Sequence, residues 1–575
     1  MKNFRVSQFL RSRYPLAMVA GLLLACAFPK IGITGLGWIA PALMLASALG
    51  RHGGERFRIG YVSGLTFNLA SLYWLLLIPY RWHGVPLGPA SGWLALSAFM
   101  ALFPATWVWL MSSTRGAEPG LQGFVSSVPR PIKSILEAET FNSVFARSWA
   151  RRTLWAISGA AVWVALEMAS GRIFGGFPWN LLGSSQYQMV PLIQVASLTG
   201  IYGVTFIVVW VSLSFLSAGV TLLRRPIVRS AWLGDIILPI LAMALLFNLG
   251  FGRLAGDKPQ PRSLNVTLIQ PSIPQTLIWD AANDDERFRD LIRLSERALS
   301  NRTDLLIWPE AAVPKLLRYD TNTFAAITGL ARRHRIWMIV GSDDLEPRRN
   351  ASKPEDVDYF NSSFLVNPEG YLAARYIKRN LVIFGEYIPL ADIVPFLKWF
   401  TPIEGGFTSG LRPVPFDLNN LRAKTSVMIC YEDIFPELAR GDAEPDTDFL
   451  VNITNDGWFG EGAAQWQQAA GAVFRSVENN VPLIRCANNG LTCWVDACGR
   501  LRQIFRDARG TIYGPGYMTV EIPLPALGQH HTRTYYNLHG DLFGWTCVGI
   551  AAALVFVRVI RLRKEPGNSV ASFRS

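Results

Sequence analysis

The chain has 575 residues and a formal net charge of +13, and 50% of it is hydrophobic against 17% charged. That length exceeds one ordinary core, and a mean hydropathy of +0.23 is foreign to a wholly soluble protein of this size, so a membrane component is expected. The basic residues gather in short segments between apolar runs, which is a topology signal and argues against nucleic acid as a partner; six cysteines without CxxC pairs argue against a zinc site or a dense disulfide framework.

In chain order, apolar stretches sized to cross about 30 Å of hydrocarbon fall at residues 14–31, 33–50, 59–80, 91–111, 152–170, 191–222 and 233–252, and one more follows at 541–560. The first has a basic leader but no small-residue cleavage site, so it is read as an anchor. Arg5, Arg11 and Arg13 lead in. Arg51, Arg56 and Arg58 lie between the second and third stretches, and Arg147, Arg151 and Arg152 precede the fifth. Arg224, Arg225 and Arg229 follow the sixth, and Arg558, Arg561, Arg563 and Lys564 follow the last. Lysine and arginine are retained on the cytoplasmic side, so the pattern predicts about eight spans with both termini inside and the segment between the last two outside. The loop 112–151 is long and rich in Ser, Pro and Gly; it is expected to be cytoplasmic and is given no function.

Three regions follow: a membrane domain at 1–260 with the first seven spans, a soluble domain at 261–526, and a last span with a cytoplasmic tail at 527–575. Strands are expected at 264–270, 304–308, 336–341, 363–367, 426–431, 449–454, 483–487 and 493–496, with helices at 284–299, 322–334 and 465–479. Continuous apolar strands alternating with helices predict a layered α/β domain whose sheets are covered by helices. Catalytic groups then belong at strand ends.

Cys430 closes the apolar run Ser426-Val-Met-Ile-Cys, where a strand stops and a polar turn begins. Leu305-Leu-Ile-Trp-Pro-Glu310 ends another strand in a carboxylate, and the segment 376–386 offers Lys378 and Glu386. A thiol, an ammonium and a carboxylate together suit nucleophilic acyl chemistry, because the cation favours thiolate while the carboxylate handles the proton. No cluster of metal ligands is visible, and no cofactor is called for.

This strand-end triplet resembles the nitrilase superfamily. More closely, the chain resembles its membrane-bound members, the apolipoprotein N-acyltransferases, through Phe177-Pro-Trp, Ile273-Pro-Gln-Thr-Leu-Ile-Trp279, Phe384-Gly-Glu-Tyr, Ile429-Cys-Tyr-Glu432, Asn455-Asp-Gly-Trp-Phe-Gly460 and Ala487-Asn-Asn-Gly490. The resemblance implies an αββα sandwich beside the helical membrane domain. It implies Cys430 as nucleophile, Glu310 as general base and Lys378 as oxyanion partner, with Glu386 and Glu432 as supporting carboxylates. Hydrogen bonding that only holds Lys378 is the competing reading of the last two. Tyr431 is expected to offer its backbone N–H to the oxyanion or only to pack its ring. Trp279, Trp458 and Phe459 are expected to line a path for acyl chains, with Phe177, Pro178 and Trp179 inviting the same reading; core packing is the alternative for all of them. Asn455 and Asn488, with Asn489, are expected to shape the pocket or simply to form turns.

The implied activity is transfer of an acyl chain from a membrane phospholipid, through a cysteine thioester, to the N-terminal amine of S-diacylglyceryl-cysteine on an apolipoprotein, at the outer face of a bacterial inner membrane. A membrane-anchored nitrilase-type amidase and a non-catalytic lipid-binding relative are the alternatives. The chain departs from the family pattern at Asn380, Ile383 and Gln468, the last within Trp466-Gln467-Gln468, and these changes spare the triplet. Cys486, Cys493 and Cys498 are close enough in sequence for one disulfide, with buried free thiols as the other reading.

Overall fold

The computed structural model describes residues 13–79, 88–112, 148–224, 230–256, 260–278, 280–348, 353, 356–389, 393 and 406–563. Trp279, nearly all of the loop 112–151, and the basic residues Arg5, Arg11, Arg147, Arg225, Arg229 and Lys564 lie outside them.

Among the described residues, five helices are long and apolar enough to cross a membrane: Gly88–Met111, Trp149–Ser170, Ile201–Leu223, Leu233–Ala255 and Leu542–Ile560. They overlap the fourth to eighth expected stretches, with ends shifted by a few residues at most of them. The first three expected stretches differ. Tyr14–Cys26 has 13 residues, or about 20 Å at 1.5 Å per residue, and Thr34–Ala48 is also short. The third is displaced toward the N-terminus: the helix Gly53–Ser71 begins with the polar residues Glu55, Arg56 and Arg58, and it gives way at Leu72 to a tight 3-10 turn, Tyr73–Leu77. The expected span from 191 starts later, because Gly200 at φ 66° separates two short helices, Val190–Ile193 and Ala196–Thr199, from the long helix Ile201–Arg224. Among the spans, buried Arg152 forks onto Asp235, Nε to Oδ1 at 2.9 Å and Nη2 to Oδ2 at 2.9 Å, a pairing that satisfies both charges away from water.

The soluble domain consists of two six-stranded sheets. The first contains β1 (Arg262–Gln270), β2 (Leu305–Ile307), β3 (Trp337–Pro347), β4 (Val357–Val366), β5 (Leu372–Ile377) and β12 (Gly516–Leu524), in the order β12-β1-β2-β3-β4-β5. The second contains β6 (Pro415–Leu418), β7 (Ala423–Ile429), β8 (Phe449–Thr454), β9 (Leu483–Ala487), β10 (Cys493–Val495) and β11 (Leu501–Ile504), in the order β11-β10-β9-β8-β7-β6. Alternate residues face inward, so Val266, Leu268, Ile307 and Ile339 of one sheet share a core with Val427, Ile429, Val451 and Ile484 of the other. The helices Asp284–Ala298 and Thr321–His334 cover the first sheet through Leu291, Ile327 and Leu330, and the helices Pro436–Asp442 and Ala464–Asn479 cover the second through Ala439 and Ala472. The result is an αββα sandwich. Cys486, Cys493 and Cys498 are buried free thiols.

The two halves share a face. Ala470, Val473, Phe474 and Val477 on the outer side of the helix Ala464–Asn479 pack among Ala161, Val164, Met168, Leu192 and Tyr202 of the membrane half. This helix is therefore buried on both sides, with only Trp466 less than fully covered.

Candidate active site

The expected triplet converges at the strand ends of both sheets. Lys378 is the first residue after β5, Glu310 lies three past β2, and Cys430 is the first after β7. Lys378 is wholly buried and directs its Nζ to Glu386 Oε1 at 2.7 Å and to Glu310 Oε1 at 3.3 Å. Asn361 of β4 bridges the same two carboxylates, donating its Nδ2 to Glu310 Oε1 at 2.7 Å and Glu386 Oε1 at 3.0 Å. The other oxygen of Glu310 accepts the Asn455 backbone N–H at 2.9 Å, so every contact turns the carboxylate inward from a fixed direction. Gly341 of β3 permits that placement, since a Cβ there would sit 2.2 Å from the Pro309 carbonyl oxygen and 2.8 Å from Glu310 Cα.

Cys430 takes a left-handed backbone, φ 58°, which is costly for any side chain and persists only where its surroundings hold it. Its carbonyl accepts Asn452 Nδ2 at 2.7 Å and Gln468 Nε2 at 2.9 Å. Asn452 in turn accepts from Arg485, which is wholly buried between Asp433 and Asp456. A strand that ends in such an elbow presents its side chain at the mouth of the sheet.

Glu432 does not touch Lys378. Its Oε1 accepts the backbone N–H groups of Arg379 at 2.7 Å and Asn380 at 3.0 Å, while Oε2 accepts Ile429 N–H at 2.7 Å and the Tyr376 hydroxyl at 2.8 Å. One carboxylate thus ties the end of β5, which carries the lysine, to the end of β7, which carries the thiol. Glu386 does contact Lys378 and is held by Val382 N–H at 2.8 Å.

The charges sort the proton positions. Burial is the largest influence on Cys430 and pushes its thiol well above the ordinary range; Glu310 and Glu386 push the same way and Lys378 pulls against them. Burial and the two carboxylates together outweigh the ammonium, so the surroundings favour the thiol over the thiolate. Burial alone would lower Lys378, but Glu310, Glu386 and, once it ionises, Cys430 outweigh it and hold the ammonium well above its usual value. A neutral thiol beside a permanent cation and a carboxylate is equipped to form a thiolate only as a bond is made.

Beside this pocket the two halves meet in an aromatic cluster. Phe459 stands edge-on to Trp74 at 4.5 Å and to Trp179 at 6.3 Å between ring centroids, and Phe177 stacks on Trp179 at 5.8 Å. Tyr431 packs at its margin, its hydroxyl donating to the Leu381 carbonyl at 2.8 Å and its ring facing Lys378 Nζ at 5.6 Å. Trp458 is half-buried on the turn that carries Phe459. Asn455 and Asn488 are buried rather than open to the pocket: Asn488 Nδ2 reaches Asn455 Oδ1 at 2.9 Å and the Ile273 carbonyl at 2.8 Å, and Asn455 Nδ2 reaches Gln275 at 2.7 Å. They brace three loops against one another. Asn489 donates to Ser272 Oγ at 3.2 Å.

Several site residues escape a reading of the sequence alone. Asn361, Asn452 and Arg485 each lie in a strand segment that is otherwise buried, and a polar residue set in an apolar run is the signal that marks Asn452 and Arg485.

Two family models match the chain: the apolipoprotein N-acyltransferase N-terminal domain over residues 20–214 and carbon-nitrogen hydrolase over residues 265–529. The apolipoprotein N-acyltransferase of Geobacter metallireducens is 33% identical over 95% of this chain and 96% of its own. The one from Chlorobaculum tepidum is 27% identical over 97% and 98%. Among solved structures, Saccharomyces cerevisiae Nit3 of the nitrilase superfamily is 19% identical, with a TM-score of 0.33 over 46% of this chain and 92% of its own.

Proposed function

Because the chain belongs to the apolipoprotein N-acyltransferase family, within the carbon-nitrogen hydrolases, we propose that Cys430, Glu310 and Lys378 carry its acyl transfer through a thioester. In the first half-reaction the Cys430 thiol attacks an ester carbonyl of a membrane phospholipid while Glu310 takes the thiol proton. Lys378 and the backbone N–H of Tyr431 receive the oxyanion, and the intermediate collapses as Glu310 returns the proton to the departing lysophospholipid hydroxyl. In the second, the amino group of an S-diacylglyceryl-cysteine at a lipoprotein N-terminus attacks the thioester. An amide forms, the C–S bond breaks, and the amine's proton returns to sulfur by way of Glu310.

The observation that carries this reading is the convergence of Lys378 on Glu310 and Glu386 at the foot of the elbow that holds Cys430. The aromatic cluster at the junction favours lipid substrates over a water-borne amide, since a chain that stays among Trp74, Trp179 and Phe459 avoids exposing its methylenes, each worth about 0.8 kcal/mol. Asn455 and Asn488 act here as braces for the wall rather than as substrate ligands. Glu386 positions the lysine, and Glu432 braces the elbow. The alternation of basic segments supports placing the soluble domain on the outer face of a bacterial inner membrane.

Mass spectrometry of the purified chain after incubation with phospholipid tests the assignment. An added acyl mass on Cys430 is expected, Cys430→Ala abolishes it, and Glu310→Gln and Lys378→Ala each lower its rate by orders of magnitude. Acylation at another residue in Cys430→Ala overturns the nucleophile, and wild-type rates in either other variant remove that residue from the chemistry.

A further inference from the structure

The side-chain amide of Gln467 is buried where the two halves meet, and all four of its hydrogen-bonding positions are taken by the membrane half. Its Oε1 accepts the indole N–H of Trp74 at 3.0 Å and of Trp179 at 2.9 Å, with Asn180 Nδ2 further off at 3.3 Å. Its Nε2 donates to the carbonyls of Pro29 at 2.9 Å and Ser71 at 3.1 Å. Three separate segments therefore end on one amide: the turn after the helix Tyr14–Cys26, the junction leading into the turn Tyr73–Leu77, and the loop at 179–180. Two of them carry the aromatic rings beside the pocket. The next residue, Gln468, points about 100° around the helix and holds the Cys430 carbonyl.

We propose that Gln467 is a positioning residue, whose amide fixes the aromatic mouth of the membrane half relative to the Cys430 thiol so that a lipid ester carbonyl is delivered to the sulfur. The inference rests on the acyl-enzyme reading of Cys430. Other contacts keep the halves together without it: the apolar face around Phe474 and Val477, the Ile201 N–H on Glu478 at 2.8 Å, and Gln194 on the Cys498 carbonyl at 2.8 Å. Loss of Gln467 is thus expected to loosen the mouth, not to part the halves.

The test compares two acyl donors on the full-length chain in detergent micelles: a long-chain phospholipid and the water-soluble p-nitrophenyl butyrate. Gln467→Met keeps the volume and removes every hydrogen bond. Acylation of Cys430 by phospholipid, as kcat/KM, is expected to fall about tenfold or more, as misplacement of a reacting group does, while p-nitrophenyl butyrate reacts within about twofold of wild type, because a short soluble ester needs no guided approach. Replacing Trp74 and Trp179 by Phe removes the two indole donors and leaves a smaller aromatic ring at each position. That pair is expected to reproduce the phospholipid loss and to add nothing to Gln467→Met. Equal losses with both donors, a wild-type rate for Gln467→Met, or additive losses each overturn the proposal. If Gln467→Met fails to fold, a wild-type phospholipid rate in the Trp pair overturns it alone. A wild-type chain acylated at Cys430 by neither donor refutes the acyl-enzyme reading instead.

Discussion

Replacing Glu432 by Gln is a near-isosteric change that the structure makes severe. The carboxylate is fully buried and faces four donors, two on each oxygen. An amide can present only one oxygen. With its NH2 at the Oε1 position, it meets the N–H groups of Arg379 and Asn380 and both bonds are lost. With its NH2 at the Oε2 position, the Tyr376 hydroxyl can turn to accept, but the Ile429 N–H cannot. The better arrangement therefore forfeits at least one backbone bond outright and weakens the rest by removing the charge. Hydrogen bonds to charged groups contribute about 1.5–3 kcal/mol each, so a loss of about 2–4 kcal/mol is expected, a large part of the roughly 5–15 kcal/mol that stabilises a domain. Because the lost bonds join the Lys378 and Cys430 strand ends, acylation of Cys430 should fall about a hundredfold. Unfolding of the detergent-solubilised chain and mass-spectrometric acylation rates measure the two effects. A variant as stable as wild type but inactive would make Glu432 a reacting group and refute the bracing argument; one unchanged in both would refute the network.

Glu310→Gln should make the Cys430 thiol more acidic while making the enzyme slower, because it removes a negative charge that holds the thiol up along with the base that accepts its proton. Peptide-resolved iodoacetamide labelling at pH 9 should therefore be faster in the variant, and slower or equal labelling contradicts the electrostatic account. Gly341→Ala forces a Cβ to within 2.2 Å of the Pro309 carbonyl. Such overpacking costs about 1–3 kcal/mol and should displace Glu310, so both the unfolding midpoint and the acylation rate fall; a wild-type rate refutes the fit. Burial, opposed by Arg485, pushes the Asp433 carboxyl up to about 6, against about 3.9 in an unfolded chain. Between those values the folded state holds the extra proton, so this contribution is full below about pH 4 and is lost as pH rises through about 6. Asp433→Asn should flatten stability over that window, and an unchanged slope refutes the assignment.

The limits of a sequence reading follow the physics of the two sheets. Phe449–Thr454 and Leu483–Ala487 are legible to the residue because both lie inside a sheet, are covered on both faces, and so read as unbroken apolar runs. The four strands that the pattern does not reveal are β5, β6, β11 and β12, which are the edge strands of the two sheets. An edge strand is covered less completely and carries polar residues such as Arg375, Asp417, Arg502 and Glu521, which dilute the alternation that would announce it. Glu310 and Cys430 were legible for the opposite reason, since each stands just past an apolar strand where the change in polarity is sharpest, whereas Lys378 follows the edge strand β5 and was marked by the family resemblance. Asn361 was hidden by a boundary: the expected strand started at Ser363, two residues after it, whereas β4 runs from Val357.

The helix Ala464–Asn479 shows why polarity alone misleads. Gln465, Gln467 and Gln468 would ordinarily mark a solvent face, yet all three are buried and each amide serves a different part of the site. Gln465 donates to the Asp456 and Gly460 carbonyls at 3.2 and 2.6 Å and holds the turn bearing Trp458 and Phe459. Gln467 holds the membrane half, and Gln468 holds the Cys430 carbonyl and Asp433. A buried amide without partners is costly, so three within four residues persist only where their N–H groups find carbonyl or carboxylate acceptors, as all three do here. Gln468 supplies a donor with no ionisation near neutral pH, so the grip on the elbow does not depend on a titrating ring. One helix therefore couples the aromatic mouth, the membrane segments and the nucleophile, and a change at any one of these glutamines should be felt at the other two before it is felt in the sheets.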